Sequence, residues 1–254
     1  MIPNFSEFSY GFALTREMCD RMWGRFDTAP LFPSLVEEGR EGHDVRLDLP
    51  GNPLFLQFKV SEYMVRPTAR EWPLFRRPYY RFWLQAPRHS NQHELLLQRD
   101  QDPNIVYYAA PATHRVEDLN RAFLSRTVIE ESVFFRPRDI GPLPDREAHC
   151  IAFERGSAYG YRCSDPKQIT LYSVGQAILD KLANELATMS RIEDSRKYFG
   201  DLADQLLTTA YEKARLLDRE ISLAERIPDP ARRAAYLCRT VLGAELLWIT
   251  EPRT

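Results

Sequence analysis

An acid, an amide and a lysine stand close together in the N-terminal part of the chain, inside two runs in which polar and apolar residues alternate. Asp44 opens the first run, and Gln57 and Lys59 lie two residues apart in the second. Successive strand residues point to opposite faces, so Gln57 and Lys59 share one face, where an acid from a neighbouring strand can meet them. We expect Asp44, the Gln57 side-chain oxygen and the Phe58 carbonyl to hold Mg²⁺ or Mn²⁺. Lys59 would then orient a hydroxide or phosphate for phosphodiester hydrolysis.

At these residues the chain resembles the PD-(D/E)XK nuclease superfamily, in particular the Mrr-like restriction endonucleases and the archaeal Holliday-junction resolvases. Their pattern is a glutamate on a helix, then G-x-D, then Q-x-K or E-x-K. Glu17 matches the helix acid, Asp44 follows Gly42 in G-x-D, and Gln57 and Lys59 form Q-x-K. The resemblance covers residues 10–110. It implies an α+β protein with a restriction-endonuclease-like αβββαβ core, a divalent metal at Asp44 and Gln57, and a catalytic lysine at Lys59.

The resemblance also implies a function, that of a Mg²⁺-dependent endonuclease that cuts DNA in bacterial restriction or antiviral defence. Gln57 stands where many members of the superfamily have glutamate. The change removes one negative charge and weakens metal binding unless Glu17, Glu37 or Glu38 substitutes. Mrr-like members share the glutamine, so the expectation of activity stands.

The same residues also fit a simpler interpretation, the solvated face of a β-hairpin. Asp48 competes with Asp44, since both face one side of an ideal strand. Glu17 is also the kind of residue that the helix dipole favours near the start of a helix. If the metal site is incomplete, we expect a catalytically inactive nuclease-like module that binds nucleic acid or a partner protein.

A segment rich in arginine and aromatic residues follows the lysine. Guanidinium groups pair with phosphates and aromatic rings stack on bases, so this segment is expected to bind nucleic acid. Alternatively, the rings belong to the core and the arginines pair with acids of the chain itself. The arginines are Arg66, Arg70, Arg76, Arg77, Arg81 and Arg88, interleaved with Trp72, Phe75, Tyr79, Tyr80, Phe82 and Trp83.

Periodicity places these residues on regular elements. Apolar residues at three- and four-residue spacings predict a helix over 10–25, and a short apolar run predicts an edge strand over 31–36. Alternation predicts strands over 43–49 and 54–60, joined into a hairpin by the turn Pro50-Gly51-Asn52-Pro53. Further strands are expected at 79–84, 104–110, 132–136 and 149–154, with a helix at 92–100.

The last hundred residues have helical periodicity. Three helical stretches are predicted over 171–189, 201–227 and 230–249, separated by Gly200 and by Pro228-Asp229-Pro230. We therefore expect a nuclease-like α+β domain over 1–165 and an all-helical region over 166–254. The apolar residues of these helices either pack within the chain or form an interface for a second copy or a partner protein.

Composition excludes several classes of protein. The chain has 254 residues, 44% of them hydrophobic, and a net charge of −2, which describes an ordinary globular protein. Its cysteines are scattered without a C-x-x-C pair, which favours reduced thiols and a cytoplasmic location. A secretory signal and an apolar membrane span are both missing, so neither secretion nor membrane insertion is expected. His89 and His93 have zinc-helix spacing but lack a third ligand.

Overall fold

The computed structural model describes residues 1–22, 51–86, 90–163, 166–171, 175–213 and 218–250, which form a mixed α+β fold with two β-sheets. The chain divides into two compact units built from interleaved segments. The first unit comprises Met1–Arg21, Gln57–Asp100 and Val106–Thr188. The second comprises Met22–Leu56, Gln101–Ile105 and Met189–Thr254. The sequence boundary expected at residue 165 lies inside the first unit.

The first unit carries most of the strands. Its helices are α1 (Glu7–Arg21), α2 (Trp72–Phe75), α3 (Gln92–Arg99), α4 (Val116–Ser125), α5 (Pro137–Ile140) and α6 (Gly175–Thr188). After α1 the chain returns to this unit near the end of β1 (Gly51–Phe58). The strands that follow are β2 (Glu62–Met64), β3 (Tyr79–Leu84), β4 (Ile105–Pro111), β5 (Ser132–Phe135), β6 (His149–Phe153), β7 (Tyr159–Arg162) and β8 (Lys167–Thr170).

A five-stranded antiparallel sheet, in the order β2-β3-β6-β7-β8, forms one layer of this unit. Alternate residues of its central strands β3 and β6 are apolar, and one face of these strands is largely buried. On that face Phe82 and Phe153 meet Phe135 of β5, with ring centres 5.7 and 5.9 Å from Phe135. The core of the unit is this aromatic cluster between the sheet and the antiparallel β4–β5 pair.

A buried cation joins several elements of the first unit. Arg136, directly after β5, is 1% exposed. Its Nε–H donates to Asp100 at 2.9 Å, and its Nη1 donates to both carboxylate oxygens of Glu185 on α6 at 2.8 Å. The guanidinium also lies 5.1 Å from the ring centre of Tyr107 on β4. A buried charge must be paired. The contacts of Arg136 therefore hold four elements together, namely the C-terminal end of α3, the strands β4 and β5, and the helix α6.

The second unit combines helices with the first part of β1. Its other elements are α7 (Ser195–Lys213), α8 (Asp218–Glu225), α9 (Pro230–Leu237), a π-helix (Cys238–Leu242) and β9 (Glu245–Thr250). β9 pairs antiparallel with β1, from Gly51 opposite Thr250 to Leu56 opposite Glu245. Apolar residues of α7, α9 and β9, including Leu202, Leu206, Leu237 and Trp248, are buried within the single chain. Association of these helices with another copy or a partner stays a prediction.

Many predicted elements are confirmed. The strands at 79–84 and 104–110, the helix at 92–100 and the strands near 132 and 149 appear as β3, β4, α3, β5 and β6. The expected strands over 31–36 and 43–49 lie outside the described residues. Within the described ranges, no helix is long and apolar enough to cross a membrane.

Three sequence predictions are wrong. The expected turn at Pro50–Pro53 is instead, from Gly51 onward, the start of β1, where Asn52 donates its amide to the Ser190 carbonyl at 2.8 Å. Gly200 lies inside α7 rather than between two helices. The C-terminal region is not all helical, because Gly243, at φ 62°, ends the π-helix and residues 245–250 form β9.

Gly11 allows α1 to lie close to β1, which gives a stability test. A Cβ at Gly11 would come within 2.5 Å of the buried Phe58 ring, whereas nothing lies within 4 Å of a Cβ at Gly200. Gly11→Ala should therefore lose about 1–3 kcal/mol through overpacking, despite better helix propensity. Gly200→Ala should gain about 0.5–1 kcal/mol, since Gly is a poor helix former. Urea unfolding measures both, and equal stabilisation would contradict a tight α1–β1 contact.

Candidate functional site

The end of β1 carries two polar side chains on one buried face. Gln57 is 4% exposed and Lys59 is 9% exposed. Phe58, between them, points the other way and packs edge-on against Tyr10 of α1, with ring centres 6.0 Å apart. The Lys59 N–H donates to the Ala109 carbonyl of β4 at 2.9 Å, so the extended backbone continues through Lys59. The predicted shared face of Gln57 and Lys59 follows from this alternation.

The nitrogen and the oxygen of the Gln57 side-chain amide differ in their hydrogen bonding. Its Nε2–H donates to the Phe58 carbonyl at 3.2 Å. Its Oε1 is buried and accepts no hydrogen bond from any residue that the structure describes. An unpaired buried acceptor costs about 1–3 kcal/mol, and a bound water or ion offsets this cost. A hard cation that prefers oxygen ligands fits such an atom.

The Lys59 ammonium is also buried. It donates to Gln92 Oε1, on the first residue of α3, at 3.3 Å. Burial lowers the pKa of Lys59, and the negative charge of Glu7 on α1 partly opposes this shift. Removing an ammonium from water is costly, and buried ionisable groups of this kind concentrate at functional sites.

Glu17, the expected helix acid, makes its contacts elsewhere. It lies on α1, where it is buried and accepts the Val128 N–H at 2.6 Å. It also pairs with Arg21 at 2.8 Å. Burial raises the pKa of Glu17 against these two opposing contacts. These contacts tie α1 to the segment before β5, and the acid of α1 that acts on Lys59 is Glu7.

The remaining predicted metal ligand, Asp44, lies outside the described residues, as do Asp48, Glu37 and Glu38. Within the described part of the chain, no group of three or more His, Cys, Asp and Glu residues could hold a metal ion. The described residues thus offer a metal the Gln57 oxygen and the Phe58 carbonyl, which already accepts one hydrogen bond. This donor set fits Mg²⁺ only if a carboxylate joins it.

The arginine-rich segment separates into paired and unpaired residues. Arg77 binds both carboxylate oxygens of Glu154. Arg81 pairs with Glu62 at 2.8 Å and with Glu71 at 3.0 Å. The other three predicted nucleic-acid contacts are exposed and form no ion pair with any described residue. These three are Arg66, Arg70 and Arg76, while Arg88 and the neighbouring His89 lie outside the described residues.

Most aromatic residues of that segment belong to the core. Trp72 and Phe75 pack, together with Tyr79, over Cys150 on the outer face of the five-stranded sheet. Trp83 is the exception, with 41% of its surface exposed and the Arg81 guanidinium 4.9 Å from its ring centre. The alternative core interpretation therefore holds for most of the rings, and the nucleic-acid prediction depends on the unpaired arginines.

Sequence reasoning missed Gln92, and it named Glu17 as the acid of α1, whereas the charge that acts on Lys59 from α1 is that of Glu7. Gln92 is recognisable as the start of a helix, but no local pattern relates it to a residue 33 positions earlier. His93, considered as half of a zinc pair, uses both ring nitrogens inside the protein. Its Nε2–H donates to the Gly141 carbonyl at 2.8 Å, and its Nδ1 accepts from the Tyr108 hydroxyl at 2.9 Å.

No family model, no curated protein and no solved structure matches this chain. The function of the chain is therefore inferred from the residues of the site and their contacts.

His93 should make stability depend on pH. Burial lowers its pKa below the ordinary 6.5; Arg162 and His149 add to the shift, while the Gly141 carbonyl and Glu94 oppose it. Between the lowered value and 6.5, the unfolded chain binds a proton at His93 that the folded chain does not. The free energy of unfolding should therefore decrease as the pH is lowered through this window, by at most about 1.4 kcal/mol per pH unit for one proton.

The measurement is urea unfolding of wild type and His93→Gln at pH 7.5 and pH 5. His93→Gln loses the hydrogen bonds of the ring at both pH values, but it has no imidazole that takes up a proton on unfolding. Only wild type is therefore destabilised by this proton at pH 5, and the difference in unfolding free energy between the two proteins should be smaller there. A deficit that is equal at both values would mean that folded His93 titrates like an unfolded one.

Proposed function

We propose that this protein is a metal-dependent nuclease that hydrolyses phosphodiester bonds, with DNA as its substrate and Mg²⁺ or Mn²⁺ as its cofactor. The observation that carries the proposal is the buried face at the end of β1. There a Gln57 oxygen that accepts no hydrogen bond from the described residues and a buried Lys59 ammonium lie two residues apart. Burial of such a polar pair costs stability, and groups buried at a cost of this kind cluster at functional sites.

Each residue has a distinct role in this proposal. Asp44 and the Gln57 oxygen would hold the cation, which supplies charge neutralisation and a more acidic water. Lys59 donates hydrogen bonds to the attacking water or to a phosphate oxygen, and its charge stabilises the negative charge that develops there. Its burial strengthens this interaction, because electrostatic forces are weakened less away from bulk water.

We also infer a restriction-endonuclease-like core for the part of the chain around this site. Support comes from α1 packed on β1 through Phe58, and from α3 and β4, which follow the lysine strand in the expected order. β2, α2 and β3 stand between them as an insertion relative to αβββαβ. A cytoplasmic role in restriction or antiviral defence completes the proposal, and it is compatible with four free cysteines.

The decisive test compares cleavage by wild type, Lys59→Met and Asp44→Asn. The substrates are plasmid, linear duplex, single-stranded DNA and RNA, each with Mg²⁺, Mn²⁺ or EDTA. Wild type should cut with metal only, and both variants should lose at least about 100-fold in rate. Lys197→Met, which removes an exposed lysine, is the matched control and should cut normally.

Stability provides the second half of this test. Methionine fills the Lys59 site without a buried charge, so Lys59→Met should be as stable as wild type or more stable in urea. Loss of cutting with retained stability would support a catalytic lysine. Cutting by Lys59→Met at the wild-type rate would contradict the proposal.

A second candidate, a nucleic-acid-binding module without catalysis, is favoured by the exposed and unpaired Arg66, Arg70 and Arg76. Replacing all three with Gln should weaken DNA binding. It should also reduce the slope of log K against log salt by about 0.9 for each phosphate that the variant no longer neutralises. The matched control replaces three other exposed arginines, Arg146, Arg196 and Arg226. Fluorescence anisotropy at several salt concentrations measures both, and equal weakening by the two triple variants would mean that binding follows net charge alone.

A further inference from the structure

Gln92 is the hydrogen-bond partner of the Lys59 ammonium. Among the residues that the structure describes, the 3.3 Å contact with Gln92 Oε1 is the only hydrogen bond that Nζ makes. An ammonium has three donors, so two remain for other groups. The contact therefore directs the lysine without using up its capacity to donate.

Gln92 is itself held in place. Its backbone N–H donates to Oγ of Ser90, which precedes the helix, at 3.2 Å. The next residue, His93, is fixed between Tyr108 and Gly141, and Leu96 is completely buried. The amide oxygen is thus presented to Lys59 by a helix that cannot shift freely.

The uncharged nature of Gln92 matters as much as its position. A carboxylate there would form an ion pair with Lys59, and this pair would compete with a phosphate for the ammonium. A neutral amide holds the lysine by one ordinary hydrogen bond and leaves its positive charge available. Glu7, the acid whose charge acts on Lys59, is exposed on α1.

We propose that Gln92 is a positioning residue, which holds the Lys59 ammonium on the Gln57 face of β1 and keeps two of its donors directed at substrate. The catalytic part of this inference rests on the proposed nuclease function. The coupling between Gln92 and Lys59 rests on the geometry alone.

The kinetic test uses Gln92→Leu and Gln92→Glu, with Gln98→Leu, an exposed position on the same helix, as control. Gln92→Leu should lower kcat by about 10-fold or more with KM little changed, because a misplaced catalytic group costs rate rather than binding. Gln92→Glu keeps the shape but pairs the ammonium, so it should also be slow. Gln98→Leu should cut like wild type.

The double variant shows whether Gln92 acts through Lys59. In a Lys59→Met background, Gln92→Leu should cause no further loss of rate, since residues that act as a unit are not additive. The same cycle is measured by urea unfolding. Gln92→Leu should lower the unfolding midpoint in wild type, where it leaves the ammonium unpaired, and leave it unchanged in Lys59→Met.

The two measurements separate the two proposals. If wild type cuts no substrate but the unfolding cycle is non-additive, the nuclease proposal fails and the positioning contact stands. The opposite outcome is that Gln92→Leu changes the cleavage rate and the unfolding midpoint by the same amounts in wild type and in Lys59→Met. In that case Gln92 does not act through Lys59 and the inference is overturned.

Discussion

The buried ion pairs of Arg136 fix the helix on which the candidate site depends. Asp100 lies directly after α3, so the guanidinium holds the last turn of that helix, while His93 holds the first. Moving α3 away would leave a charge unpaired inside the protein, and breaking a buried pair typically costs about 3–5 kcal/mol. Gln92, the first residue of this helix, therefore meets Lys59 at a set position. The position of the polar site thus depends on a buried ionic network at the other end of the same helix.

How much of this could be read from the sequence depends on the range of the interaction. The shared face of Gln57 and Lys59 follows from the two-residue period of a strand, which holds wherever the strand forms. The contact with Gln92 is made by packing between elements distant in sequence, which no local pattern encodes. The same limit explains the error at β9, because a short apolar run such as ELLWIT fits a buried helix or a strand equally well until its partner is known.

The pairing of the arginines shows most clearly that contacts between distant residues cannot be read from the sequence. In sequence, the arginine segment has Glu71 as its one nearby acid, and it reads as a strongly basic surface. In the fold, Glu71 is buried and accepts hydrogen bonds from Tyr79 and Arg81. Glu154, which directly follows β6 and is 77 residues away in sequence, pairs with Arg77. Composition counts charges but does not say which are neutralised. The basic character that remains belongs to fewer residues than the sequence indicates.

The charge of the candidate site comes from Lys59, because the two glutamine side chains of the site, Gln57 and Gln92, are neutral. Gln57 occupies a position where a glutamate would balance the ammonium, and Gln92 contacts the ammonium without a charge of its own. The described part of the site therefore has a buried cation whose charge is opposed mainly by the exposed Glu7. Such a site favours an anion, and a phosphate of a nucleic acid supplies one. Neutral amides in place of carboxylates thus support the nuclease proposal, which requires the lysine to keep its charge for a phosphate rather than for its own protein.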